Sequence, residues 1–515
     1  MLAINGSLCI ALSALPIVLL FQWWRDPLRK IPTVGPSAPL LSYVGAYRFF
    51  HHARDMMHEG YMKYKGSTFK VPLFDKWLVV VSGRTLVEEL RRYPDDQASF
   101  DKGAGEVRST FSYYASCAHP LCFQLIQAKY TLGREFSEDP YHIDLIRERL
   151  TRNLAVLFPD VLDEIQHAFD HFIRAESDEW ISVDALPLMA QIVARASNRI
   201  FVGVPYCRDS TYLKLAINFA RDVIEGRIIM NLTPPFLRPI VARYFIPTAT
   251  TRRLMSEIIT PLIEERQRFQ LEQGASWADK PNDMLMWLLD EAEGNEDRLR
   301  NLIKMLLVIN FAAIHTSSFS VTHALYHLAA RAEYIQPLRE EVETVVAKEG
   351  WTKAALMKMW KLDSFMKESQ RFNGISSISL TRVALQDLHL SDGTHIPAGT
   401  IVVAAAAETH KDDEYYPNAS GFDPFRFSKL REVSGEGTKH QFVSTSVDYI
   451  SFGHGKHACP GRFFAAIELK AMLAHVLLNY DVKFERDGVR PENKWVGTAV
   501  APDPTAKVLF RKRQQ

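Results

Sequence analysis

The chain has 515 residues, 47% of them hydrophobic and 11% aromatic, enough to bury a large core. Its 61 Lys and Arg almost balance 60 Asp and Glu, and the net charge of +1 argues against nucleic acid as a partner. The five cysteines (Cys9, Cys117, Cys122, Cys207 and Cys459) are odd in number and unevenly spaced, which excludes a disulfide framework and fits a reducing compartment.

Residues 1–24 hold no charged side chain and end in Trp23-Trp24. About 20 apolar residues span a bilayer as a helix, and Pro16 is tolerated there. Arg25, Arg29 and Lys30 follow, a flank that keeps the remainder cytosolic. A cleaved signal peptide would carry basic residues before the apolar run, and none precede it. The expectation is an uncleaved anchor over 1–24. Pro27, Pro32, Pro36 and Pro39 then make 25–40 a stiff, extended hinge, with the globular part at 41–515.

Thr68 to Phe74 and Trp77 to Val81 read as two strands, and Thr85 to Arg92 as a helix. Strands ahead of a long helical body predict a mainly α chain with small β-sheets, an α+β layout. The stretch from Asp101 to Gly133 has no clean period, and its Cys117, His119 and Cys122 read as core or substrate-side residues, not a metal site. Tyr141 to Leu157 is helical and basic, with Arg147, Arg149 and Arg152. Asp184 to Val202 and Thr211 to Ile224 read as amphipathic helices. Ile228 to Ile246 is apolar but too broken to span a membrane; a core helix pair and a mobile roof over a pocket both fit it.

Asp283 to Asp290 and Leu302 to Ala330 are helical, the latter with Ala312-Ala313-Ile314-His315-Thr316 at its centre. Small residues there let another body approach closely, and a Thr can bond the preceding turn's carbonyl and bend the helix. An ordinary buried helix has the same pattern. Glu368 and Arg371 lie at i and i+3 on one helix face, a common pairing. Asp392 to Val403 reads as strands around Gly and Pro turns, after Arg382 and before Arg426 in Phe422-Asp423-Pro424-Phe425-Arg426.

The densest signal is Ser451-Phe452-Gly453-His454-Gly455-Lys456-His457-Ala458-Cys459-Pro460-Gly461, which runs straight into the apolar helix Arg462 to Leu469. Free N–H groups and the positive end of that helix would favour a thiolate at Cys459, and the glycines allow something flat to come close. A buried hydrophobic cysteine, a zinc ligand set with His454 and His457, and a cysteine nucleophile with His457 as base all remain open from this loop alone.

The loop resembles the haem-binding signature of the cytochrome P-450 haem-thiolate monooxygenases at every fixed position: Phe452, Gly455, His457, Cys459 and Gly461. His457 stands where the family more often has Arg. Ala312, Ala313 and Thr316 resemble the family's oxygen-binding helix motif, with His315 in place of its acid, and Glu368, Arg371 and Arg426 resemble its Glu-x-x-Arg and meander residues. The resemblance implies the cytochrome P-450 fold and haem b (iron protoporphyrin IX) on Cys459. It puts His457 and Arg382 on haem propionates, assigns Thr316 proton delivery with His315 as a second candidate, and makes Glu368, Arg371 and Arg426 a structural ion-pair network. The helix after Tyr141 lacks the family's Trp, which leaves Arg147 and Arg152 as alternatives for a propionate. Residues 101–133, Ile375 to Leu380 and Val496 to Val500 would border the substrate.

The activity implied is insertion of one atom of O2 into a small apolar substrate. Electrons would come from NADPH through a membrane-bound NADPH-cytochrome reductase. The anchor would hold the catalytic domain, 41–515, on the cytosolic side of the endoplasmic reticulum membrane by a single pass. The wording around Thr316 and Cys459 resembles fungal oxidases of secondary metabolism similar to ent-kaurene oxidases, which points to a terpenoid or meroterpenoid. An indole alkaloid or polyketide, or a haem-thiolate protein that does not oxygenate, are the alternatives.

Overall fold

The structure is a computed structural model that describes residue 21 and residues 23–514 other than 75, 101–127, 134–138, 176–178, 235 and 487. Nearly all of the expected anchor, most of the 101–133 segment, and Cys9, Cys117, His119 and Cys122 lie outside the described residues.

The hinge prolines do not stand free. Lys70 donates its N–H to Pro32 O at 2.8 Å and its carbonyl accepts from Val34 N at 3.0 Å, so the hinge pairs with strand Thr68–Pro72 (β1). Helix Leu41–Lys63 (α1) then lies on this strand. Gly60 makes the contact possible, because a Cβ there would come within 2.3 Å of the Phe69 ring.

Trp77–Val81 (β2) pairs antiparallel with β1, and Arg84–Arg92 (α2) follows. With Ala98–Ser99 (β3), Ile378–Ala384 (β5) and Ile401–Ala405 (β8) these strands form a five-stranded sheet in the order β1-β2-β8-β5-β3. The β2–β8 pair is parallel, with Leu78 opposite Ile401 and Val80 opposite Val403. Alternate residues feed separate cores: Val79, Val81, Val402 and Ala404 on one face, Leu78, Val80, Ile401 and Val403 on the other. Both faces are covered, which explains why β2 and β8 read as unbroken apolar runs. Ile181–Asp184 (β4), Tyr480–Lys483 (β9) and Lys507–Lys512 (β12) form a second sheet, Leu388–His389 (β6) and His395–Ile396 (β7) a hairpin, and Lys494–Val496 (β10) and Ala499–Ala501 (β11) another.

The helical body begins at Tyr141–Leu145. One π turn, Ile146–Leu150, leads into Thr151–Phe172 (α3), so this helical segment runs well past the predicted end at Leu157. Ala185–Phe201 (α4), Ser210–Leu232 (α5), Arg238–Tyr244 (α6), Pro247–Gln273 (α7) and Met284–Ala292 (α8) follow. The 228–246 stretch is therefore the end of α5 plus a short helix, and Phe236, Leu237, Ile240, Tyr244 and Phe245 are exposed rather than packed as a core pair.

Asn295 caps the longest helix, Glu296–Ala330 (α9), by accepting the N–H groups of Asp297 and Arg298 at 3.1 Å each. Glu296 and Asp297 in its first turn suit the positive end of the helix. Around α9 pack α4, α5, α7, α8, Trp360–Phe372 (α10) and Arg462–Asn479 (α11). Among the described residues α9 is the one helix long and apolar enough to cross a membrane, but most of its apolar stretch is buried inside the protein. Its apolarity is that of a core helix with other helices packed around it.

Candidate active site

The middle of α9 breaks its own burial pattern. Leu306 to Asn310 are buried and so are Ser317 and Ser318, yet Ala312 is exposed and Phe311, Ala313, His315 and Thr316 are half-buried. A helix surrounded by other helices exposes an alanine only where it borders a cavity. The Thr316 hydroxyl donates to Ala312 O at 2.7 Å, the bond expected from its sequence position, and α9 continues through it as unbroken helix.

His315 lies elsewhere. A carbonyl only accepts, so His315 Nε2 carries the proton and donates it to Ile217 O in α5 at 2.9 Å. Burial lowers the histidine's pKa and keeps the ring neutral.

Cys459 sits in the turn before α11. Its N–H donates to Phe452 O at 2.7 Å, closing the loop on itself. Gly453 and Gly455 both have positive φ, and a Cβ on Gly455 would strike the Arg91 side chain at 2.6 Å. No side chain caps α11, and the N–H groups of Gly461 and Arg462 point at the sulfur. Burial nevertheless raises the Cys459 pKa more than these donors and the Arg462 guanidinium lower it. A cation bound at the sulfur would favour the thiolate expected from sequence.

His457 Nε2 lies 2.5 Å from Asp95 Oδ1, and Lys456 Nζ lies 2.6 Å from Asp95 Oδ2. Asp95 was invisible to sequence reasoning, since nothing local marks it. Arg147 and Arg152 separate clearly. Arg147 Nη2 donates to Lys456 O at 2.8 Å, inside the cysteine loop, whereas Arg152 is exposed and faces Glu148 at 3.8 Å. Arg462, also missed, donates to Cys459 O at 2.9 Å, and its buried Nε has no partner among the described residues. Burial, then repulsion from Arg147, lowers its pKa.

These residues fit an iron porphyrin. The half-buried thiol suits a metal cation, and the two neighbouring guanidiniums of Arg147 and Arg462 suit carboxylate groups. Arg382 is buried on β5 and donates to Thr381 O at 2.8 Å. That strand is tied to the cysteine loop through Ser379 Oγ, which donates to Ile450 O at 2.7 Å. The two stretches expected to border substrate also meet: Ser377 N donates to Thr498 O at 2.8 Å and Val500 N to Ile375 O at 3.1 Å.

Glu368 and Arg371 are wholly buried on α10 and share two 2.7 Å bonds. Arg426 Nε reaches Glu368 Oε2 at 3.2 Å, and Asp423 N donates to Oε1 at 3.0 Å. The remaining guanidinium donors go to backbone: Arg371 to His410, Ala419 and Gly421 carbonyls, Arg426 to Pro417, Asn418 and Gly421 carbonyls.

Comparison with known proteins gives this arrangement a family. The Cytochrome P450 family model matches residues 124–510. Cytochrome P450 monooxygenase 151 of Postia placenta is 51% identical over 96% of this chain and 96% of its own. Ent-kaurene oxidase P450-4 of Gibberella fujikuroi is 32% identical over 94% of this chain and 93% of its own. Among solved structures, retinoic acid-bound cyanobacterial CYP120A1 superposes with a TM-score of 0.68 at 18% identity, covering 94% of this chain and 99% of that one, a likeness of fold alone. The chain belongs to the cytochrome P450 family and is a haem-dependent monooxygenase.

Proposed function

We propose that this monooxygenase oxidises a terpenoid or meroterpenoid of fungal secondary metabolism, with Cys459 as the residue whose sulfur would hold the haem iron. The observation that carries the ligand assignment is the half-buried Cys459 sulfur with the Gly461 and Arg462 N–H groups aimed at it. When bound, the haem supplies oxygen activation, and a thiolate ligand favours O–O cleavage.

The chain's own residues do the rest. Gly461 and Arg462 hold the sulfur's lone pairs, while Arg147, Arg382 and Arg462 offer charge to the porphyrin carboxylates. His457, held by Asp95, borders the same loop. Ala312 and Ala313 leave room beside α9 for a small ligand. Thr316 can give up its bond to Ala312 O and pass a proton into the cavity. The Glu368–Arg371–Arg426 network fixes the backbone leading to the cysteine loop.

Anchoring by residues 1–24 and a hinge over 25–40 fit an endoplasmic reticulum location with the 41–515 domain in the cytosol, where a reductase would bring electrons from NADPH. Two exposed apolar groups support a lipid-facing side: Phe21, Trp24, Leu40, Leu41, Tyr43, Val44 and Tyr47 near the hinge, and Phe236, Leu237, Ile240, Tyr244 and Phe245 around α6. The terpenoid reading draws support from the ent-kaurene oxidase relative.

The test is incubation of membranes carrying the protein and a fungal reductase with NADPH, isotopically labelled O2 and a panel of terpenoids, indole alkaloids and polyketides. One labelled oxygen in a terpenoid product is expected. Label only in another class overturns the substrate assignment, and no label with no NADPH consumption favours a haem-thiolate protein that does not oxygenate.

A further inference from the structure

The family's acid before the threonine is replaced here by His315, which invites a role for that imidazole in moving protons. The geometry points instead to a strut. We infer that His315 is a positioning residue that fastens α5 to α9 beside the cavity, holding the wall of the substrate space at a fixed distance from Thr316. The inference rests on the active-site reading above but not on the identity of the substrate.

Three observations carry it. The Nε2–H is committed to Ile217 O at 2.9 Å, a carbonyl 98 positions away in sequence on a different helix. That carbonyl lies within the continuous helix α5, and its second lone pair accepts the histidine's N–H without breaking the helix. The ring is also braced: Phe319, one turn along α9, meets it edge-on with centroids 6.5 Å apart.

The same interface has two further bridges. Phe219 of α5 and Phe311 of α9 make an edge-to-face contact at 6.4 Å. Tyr212 donates to Asn198 Oδ1 at 2.6 Å, while Asn198 donates to Asn310 Oδ1 at 2.7 Å. These two bridges sit before Ala312 in α9, at Asn310 and Phe311. Of the three, the His315 bond alone reaches α5 from beyond Ala312, next to Thr316. An aspartate or glutamate at position 315 could not donate to a carbonyl while ionised, so the strut needs an N–H donor such as histidine supplies. Glutamine keeps an N–H donor of similar reach and has no proton to exchange near neutral pH, which separates a strut from a relay.

The experiment uses the purified holoenzyme with His315→Ala and His315→Gln. Amide hydrogen exchange is read over peptides covering 210–226 of α5, and binding of the imidazole drug clotrimazole is titrated by its haem absorbance shift. For His315→Ala, exchange in that segment should be about threefold to tenfold faster, as loss of one such bond predicts. Clotrimazole should bind about threefold more weakly, with peptides of α11 unchanged. His315→Gln should restore both readings to near wild type. Equal disturbance in the two variants, or undisturbed α5 exchange in His315→Ala, overturns the strut. The ferrous–CO spectrum is recorded on the same samples. Its absence in wild type would count against the haem-thiolate assignment, and its presence with unaltered α5 exchange counts against the strut alone.

Discussion

Two regions of this protein bring polar groups into a buried setting and resolve them differently. Around Glu368 both carboxylate oxygens and nearly all the guanidinium donors of Arg371 and Arg426 meet partners within the protein. Around Cys459 and Ala312 the partners run short among the described residues: a half-buried thiol, an Arg462 Nε without a partner, two neighbouring guanidiniums and an exposed alanine in a core helix. The first region is complete as protein and serves stability. The second has the chemistry of a site finished by a ligand. Sequence signatures of equal clarity thus mark two different physical roles.

The largest expected effect breaks the complete region. Glu368→Ala leaves Arg371 buried without its carboxylate and Arg426 half-paired, a loss on the order of 3–5 kcal/mol. Denaturant titration and haem content after purification should show little folded holoprotein. A variant of near wild-type stability would mean that backbone carbonyls alone satisfy both arginines.

Thr316→Ala is the converse in the open region. The lost hydroxyl bond is local and alanine is the better helix former, so stability should move by less than about 1 kcal/mol. Product formation should fall on the order of 10²-fold while NADPH is spent on peroxide. Tight coupling of NADPH to product in that variant would remove Thr316 from the proton path.

Glu468 on α11 lies between the two cases. It is fully buried, accepts one bond from Ser197 Oγ at 2.7 Å, and its second oxygen has no partner among the described residues. Burial raises its pKa to about 8. The folded protein then keeps a proton that the unfolded chain, at its ordinary 4.5, has lost. Glu468's contribution is full below that lower value, declines as pH rises towards 8, and levels off above. Glu468→Gln should flatten the slope, gaining on the order of 2 kcal/mol relative to wild type between pH 5 and pH 8. Parallel stability curves for the two proteins would show that Glu468 is paired or hydrated in solution.

Much of this was legible in the sequence because it is local or strongly patterned. Unbroken apolar runs mark β2 and β8, and Glu368 and Arg371 are one helical turn apart, whereas α9 starts at Glu296, ahead of the expected Leu302. The unread parts depend on distant neighbours. The hinge docks because its backbone finds β1, which proline density does not encode. Arg147 and Arg152 share a basic helix, and only the fold decides which of them meets Lys456. Asp95 and Ile217 carry no sequence mark of their own, yet they fix His457 and His315.

The ferrous–CO absorption spectrum of Cys459→Ala, compared with wild type purified with porphyrin supplied, tests the central assignment most directly. Wild type should show the red-shifted band of a thiolate-ligated haem and the variant should lose it. A red-shifted band that survives in Cys459→Ala would contradict the assignment of this sulfur as the iron's ligand.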